Sequence, residues 1–185
     1  KIVFTEADKN YEKQNIKPVT EMEIGKSYTI EDVIKRMIIY SDNSALRILL
    51  REGNSFAYRV FYDLDVGIQS DQEGLENFMS VYEYSRFFRI LYNGSYLDFE
   101  NSNKALEILT KVDFKDGLVA GIPLDIPVAH KFGERQFGNE KQLHDCGIVY
   151  HPEKPYLICI MTRGKDLEKL PHVISELSKV TYEEI

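Results

Sequence analysis

Residues Gly25–Leu50 read GKSYTIEDVIKRMIIYSDNSALRILL, two helical patterns with three consecutive polar residues, Ser41, Asp42 and Asn43, at their junction. Thr29 followed three residues later by Asp32 is a capping-box pair, in which each side chain reaches the other's backbone N–H and starts a helix. Val33, Ile34, Met37 and Ile38 then recur along one helical face. Ala45, Leu46, Ile48, Leu49 and Leu50 give a second, mostly buried helix, expected to stop at Gly53. At such a junction the ordinary use of Ser-Asp-Asn is to accept hydrogen bonds from the free N–H groups of the following helix.

Further along, Ser80 with Glu83 is another capping box, opening a helix with Val81, Tyr84, Phe87, Phe88 and Leu91 inward and closing at Asn93-Gly94. A fourth helix is expected over Ser102–Lys111, with Leu106 and Leu109 inward. From Gly117 the pattern changes. Ile126–Phe132, Leu143–Tyr150 and Tyr156–Thr162 read as antiparallel strands, the last two joined by the turn His151-Pro-Glu-Lys-Pro155. Asp166–Val180, with Leu167, Leu170, Val173, Ile174 and Leu177, predicts an amphipathic helix lying on that sheet. No internal repeat or low-complexity linker interrupts the chain. The fold class is α+β: one domain over 1–185, mainly helical over 22–117, with the antiparallel sheet and its covering helix over 118–185.

Composition narrows the function. The 185 residues are 43% hydrophobic, enough for one sizeable core. Thirty acidic against 23 basic residues give a net charge of −7, which leaves no basic stripe for a nucleic acid partner. The longest apolar runs, such as Tyr156–Met161, fall far short of a bilayer span, and no charged and apolar leader opens the sequence. The chain is therefore expected to be cytosolic, or to have lost a leader. Cys146 and Cys159 fall in neighbouring strands; a cross-strand bridge is one reading, and free buried thiols are the expected one. His130, His144, Asp145 and His151 lack metal-ligand spacing, so strand-end histidines with ordinary hydrogen bonds are expected and no metal is assigned.

The strand VAHKFGER, Val128–Arg135, places Lys131 two residues before Gly133, a positive charge beside a backbone open to close approach. With Ser41-Asp42-Asn43 some ninety residues earlier, it resembles two of the three motifs of the serine β-lactamases and penicillin-binding proteins, Ser-x-x-Lys, Ser-Asp-Asn and Lys-Thr-Gly. Gly25–Leu50 is similar to the helix pair that presents Ser-Asp-Asn in class A-type β-lactamases. HDCGIVYHPEKPYLICIMTRG, His144–Gly164, is similar to their sheet hairpin, and KIVFTEADKNYEKQNIKPVTE, Lys1–Glu21, to the segment entering the helical part.

The resemblance implies a β-lactamase/transpeptidase-like fold and a role for each matched position. Ser41 would pass a proton to the leaving nitrogen, and Asn43 would hold the substrate amide. Lys131 would polarise Ser41, within hydrogen-bond reach across one cleft, and attract a substrate carboxylate. Asp42 would brace the turn, Gly133 would let the strand approach the acyl group, and the Glu134 N–H would be an oxyanion donor. No cofactor is implied, since an activated serine needs only neighbouring acids and bases.

Three departures qualify the match. No Ser-x-x-Lys occurs in these 185 residues, so the chain reads as the C-terminal portion of a longer protein, without the nucleophile helix and opening strands. Phe132 stands where the family has a threonine or serine whose hydroxyl binds the substrate carboxylate; losing such a donor costs on the order of 1.5–3 kcal/mol. Leu64–Met79 is too short for the family's omega loop, and in EGLEN, Glu73–Asn77, Glu73 reads as a solvated loop residue. The expected function is part of a penicillin-binding or D-alanyl peptidase-like acyl-hydrolase or acyl-transferase, not catalytic in this form. The alternative is a non-catalytic binding or sensor module. Expected partners are a cell-wall peptide or β-lactam-like small molecule, and a second copy covering an incomplete sheet. The resemblance also implies an exported or cell-envelope location.

Overall fold

The computed structural model describes residues 1–10, 14–66 and 79–185, which fall into two compact units, Lys1–Gly67 and Ile68–Ile185. Glu73 and the rest of the EGLEN stretch lie outside the described residues.

In the first unit, a short antiparallel pair, β1 (Ile2–Val3) with β2 (Ser27–Tyr28), precedes α1 (Ile30–Ile39) and α2 (Asn43–Asp63). The Thr29/Asp32 capping box is formed in both directions. Phe4, Met22, Val33, Ala45 and Ile48 make the core, so the sequence ahead of the helices packs onto both of them. The expected stop at Gly53 is corrected: α2 runs on to Asp63 with a kink there. Gly53 has φ −145° and ψ 32°, so it lacks the left-handed geometry of a glycine cap.

The second unit holds α3 (Val81–Tyr92), α4 (Phe99–Leu109), β3 (Val128–Phe137), β4 (Glu140–Val149), β5 (Tyr156–Gly164) and α5 (Leu170–Glu183). The strands form one antiparallel sheet in the order β3-β4-β5. Ser80 and Glu83 close the capping box of α3, and Gly94 takes φ 57° just beyond its end. Helix α4 begins earlier than Ser102 because the Asp98 carboxylate accepts from the Asn101 N–H at 2.8 Å, whereas Ser102 is buried. Strand β3 continues past Phe132 to a two-residue turn in which Gly138 takes φ 58°, a hairpin that the polar run Glu134–Gln136 conceals from a hydrophobic-pattern reading.

Directly paired residues share a sheet face. One face carries Val128, His130, Phe132, Asp145, Val149 and Tyr156, and the other carries Lys131, Gly133, His144, Cys146, Ile148 and Leu157. Helix α5 covers the first face with Leu170 and Ile174 buried. Val173 and Leu177, expected inward, are instead 44% and 49% exposed. Helix α3 faces the second: its Tyr84 ring meets His144 edge-on at 5.3 Å between centroids. Cys146 and Cys159 are direct cross-strand partners with Cα atoms 4.0 Å apart, and their sulfurs are bonded. The expectation of free thiols is corrected; the register of two neighbouring strands places the two side chains against each other.

Candidate active site

In the first unit the site is a helix junction. Asp42 caps α2: its Oδ1 accepts from the N–H groups of Ser44 at 2.9 Å and Ala45 at 3.2 Å. Its Oδ2 accepts from Arg36 Nε at 3.0 Å, and Arg36 in turn donates to the Thr20 carbonyl and hydroxyl. Asp42 is only 4% exposed, yet both carboxylate oxygens have donors, as a buried charge requires. Ser41 is thereby fixed in the left-handed region at φ 53°, a conformation that costs a residue with a Cβ on the order of 1 kcal/mol. Its carbonyl accepts from Gln14 Nε2 at 2.9 Å. Asn43 begins α2 and, with Ser44, Lys9, Asn10 and Lys17, lines a cavity of about 290 Å³ floored by Phe4 and Met22.

In the second unit the site is centred on β3. Lys131 leaves the α3-facing side of the sheet and curls back over its own strand. Its Nζ donates to the Phe132 carbonyl at 2.7 Å and lies 4.3 Å from the centroid of the Phe132 ring. Burial pushes its pKa down to about 8, while the Asp145 carboxylate acts in the opposite direction. The ammonium therefore meets a π-face and a carbonyl of the neighbouring residue, the π contact being worth about 0.5–2 kcal/mol. Phe132 itself is 3% exposed and packs on Phe114 at 4.5 Å between centroids.

Gly133 has a more immediate reason than substrate approach. A Cβ there would stand 2.3 Å from His144 Nε2, so the glycine makes room for the imidazole. Burial, then the charge of Lys131, pushes His144 down to about 4, which makes it a neutral ring at physiological pH. The Tyr84 hydroxyl donates to the Lys131 carbonyl at 2.9 Å, tying α3 to the strand at the candidate lysine; burial and then the Asp145 charge push the phenol's pKa upward. Glu134 pairs with Leu143 on β4.

Beneath Lys131 lies a buried pair. His130 Nδ1 is 2.9 Å from Asp145 Oδ1 and 3.2 Å from Oδ2, and because a carboxylate only accepts, Nδ1 carries the hydrogen. The Leu118 N–H donates to Asp145 Oδ2 at 3.0 Å. Gly117 permits this approach, since a Cβ there would lie 2.5 Å from the same oxygen. His130 is therefore not a strand-end histidine: it is fully buried in mid-strand, and its Nε2 meets no partner among the described residues.

Ser41, Asp42 and Asn43 thus share one unit, and Lys131, Phe132, Gly133 and Glu134 the other. Sequence reasoning missed Tyr84, read only as a core residue, and the separate tasks of His144 and Asp145. Strand alternation applied to that dipeptide sends the two side chains to opposite faces.

The model of the β-lactamase enzyme family matches residues 1–185. No curated protein sequence matches the chain. Among solved structures, a β-lactamase from Chitinophaga pinensis superposes with a TM-score of 0.79 at 19% identity, over 99% of this chain and 74% of that one. A doubly substituted mutant of the chromosome-encoded β-lactamase of Vibrio parahaemolyticus gives 0.80 at 16%, over 100% and 75%. PBP-A gives 0.73 at 20%, over 88% and 63%. The chain thus spans about two thirds to three quarters of the length of these structures.

Proposed function

Because the chain belongs to the β-lactamase enzyme family, we propose that it carries the proton-relay and carboxylate-binding portion of a serine acyl-hydrolase or acyl-transferase of the penicillin-binding or D-alanyl peptidase type. In such a reaction a serine oxygen bonds to the acyl carbon, the C–N bond breaks, and the leaving nitrogen must receive a proton. Ser41 is the donor to that nitrogen, Asn43 holds the substrate amide, Lys131 receives the carboxylate, and the Glu134 N–H faces the developing oxyanion. The acylated serine is none of these residues, and no Ser-x-x-Lys occurs among the 185. The observation that carries the reading is Ser41 held in a strained turn by two capped helices, since such strain concentrates at functional positions. A neighbour in support is a point mutant of PBP-A, described as an acyl-enzyme complex with penicillin G, at 18% identity and a TM-score of 0.77.

Phe132 in place of a hydroxyl favours a second reading, a module that binds the same ligand class without chemistry. Both readings need Lys131 to hold a carboxylate. Titration with a fluorescent acyl-D-alanyl-D-alanine tests this. Lys131 is protonated below about pH 8 and neutral above it, so affinity falls by up to about tenfold per pH unit above that point. Lys131→Arg keeps its charge and flattens the profile, and Lys131→Ala weakens binding throughout. A flat profile in the parent chain, or full affinity in Lys131→Ala, contradicts the assignment.

A further inference from the structure

The side of the sheet that carries Lys131 also carries a second cavity, farther along the strands. It lies between the C-terminal half of α3 and the β4–β5 hairpin and has a volume of about 230 Å³. Its floor is apolar: Phe88 and Ile148, each 3% exposed, with Leu157 beside them. A closed core cavity of about 150 Å³ takes up a benzene ring, so by volume this cleft, which opens to solvent, has room for one ring with a short substituent. Arg89, Tyr92 and Asn93 stand at its rim, and no lining residue is acidic. Arg89 is exposed, and among the described residues its guanidinium forms no ion pair. An apolar slot with one unengaged planar cation at its mouth is complementary to a ring bearing an anion, because guanidinium and carboxylate meet in a two-pronged hydrogen bond.

We propose that this cavity binds a small aryl carboxylate, with the ring between Phe88, Ile148 and Leu157 and the carboxylate on Arg89. The site shares no residue with the Ser41 and Lys131 assignments and stands apart from the acyl-transfer reading. Phenylacetate is the probe, followed by amide NMR shifts of the chain, with benzyl alcohol as its uncharged counterpart. Titrating shifts are expected at Phe88, Ile148 and Leu157. Arg89→Gln, at an exposed position, is expected to weaken phenylacetate about tenfold and leave benzyl alcohol unchanged. Leu157→Phe, which fills the slot, is expected to remove both responses while the melting transition persists. The proposal is overturned by shifts centred elsewhere, by no titrating response to phenylacetate, or by an Arg89→Gln variant that binds phenylacetate as the parent does.

Discussion

The helix junction around Ser41 and the strand around Lys131 differ in how far along the sequence their decisive contacts reach. At the junction the contacts that cap the helix are local: Asp42 accepts from the residues two and three positions on, and Arg36 reaches it from the preceding helix, while Gln14 adds one long-range bond to the Ser41 carbonyl. At the strand the decisive partners are distant in sequence. Tyr84 binds the Lys131 carbonyl across 47 positions, and Asp145 binds the Leu118 N–H across 27. A locally built site depends on propensity and capping, whereas a non-locally built one depends on the register of a sheet and fails with it.

That contrast predicts unequal costs. Asp145→Ala has the largest, because it strands His130 Nδ1 and the Leu118 N–H together in a dry interior. A loss of about 3 kcal/mol or more is expected by denaturant unfolding; a loss below about 1 kcal/mol would remove the pair from the list of supports. Gly133→Ala follows at about 1–3 kcal/mol, since its methyl collides with the His144 ring. His144→Ala should recover most of that loss in a double-mutant cycle, and purely additive effects would deny the contact. Asp42→Ala is expected to cost about 1–2 kcal/mol and Asp42→Asn much less, because asparagine caps nearly as well. Equal costs for the two would mean that the Arg36 ion pair, not the cap, holds the turn.

The same contrast explains what the sequence disclosed. Capping boxes at Thr29 and Ser80 are short-range chemistry and are written as residue pairs three apart, so the helix starts were legible. The three strands and their antiparallel order were legible from alternation and turn residues. The continuation of β3 through Glu134–Gln136 was not, because pairing with Glu140–Leu143 decides it rather than hydrophobicity. Within the candidate site, the motif residues were visible as motifs, but Phe132 read only as a lost hydroxyl. That its ring lies 4.3 Å from the Lys131 ammonium depends on side-chain packing that no spacing encodes. The outward position of Val173 and Leu177 was hidden for a similar reason: an apolar stripe on a helix does not say how much of it the sheet covers.

A smaller effect concerns Lys131 and stability. Its pKa falls from 10.5 to about 8 on folding, so the cost of its buried charge is fully present below about pH 8. The cost is relieved as pH rises toward 10.5, where the unfolded chain also loses the proton. Lys131→Met should therefore be more stable than the parent near neutral pH, with the gap closing through that window. A gap independent of pH would assign the effect to packing alone. Smaller still is the effect of the outer edges of β3 and β5, which pair with no other described strand. We propose weak self-association through them, which light scattering would report as a mass that rises with concentration; a constant monomer mass contradicts it.

We propose that these residues supply the proton relay and carboxylate site of an acyl-transfer centre but not its nucleophile. Intact-mass spectrometry after incubation with penicillin G tests it most directly. The mass of the 185-residue chain is expected to stay unchanged, because no Ser-x-x-Lys occurs in it and the oxyanion pocket of such a centre is built around the N–H of the acylated serine itself. A stoichiometric gain of one penicillin, mapped to Ser41, would contradict the account.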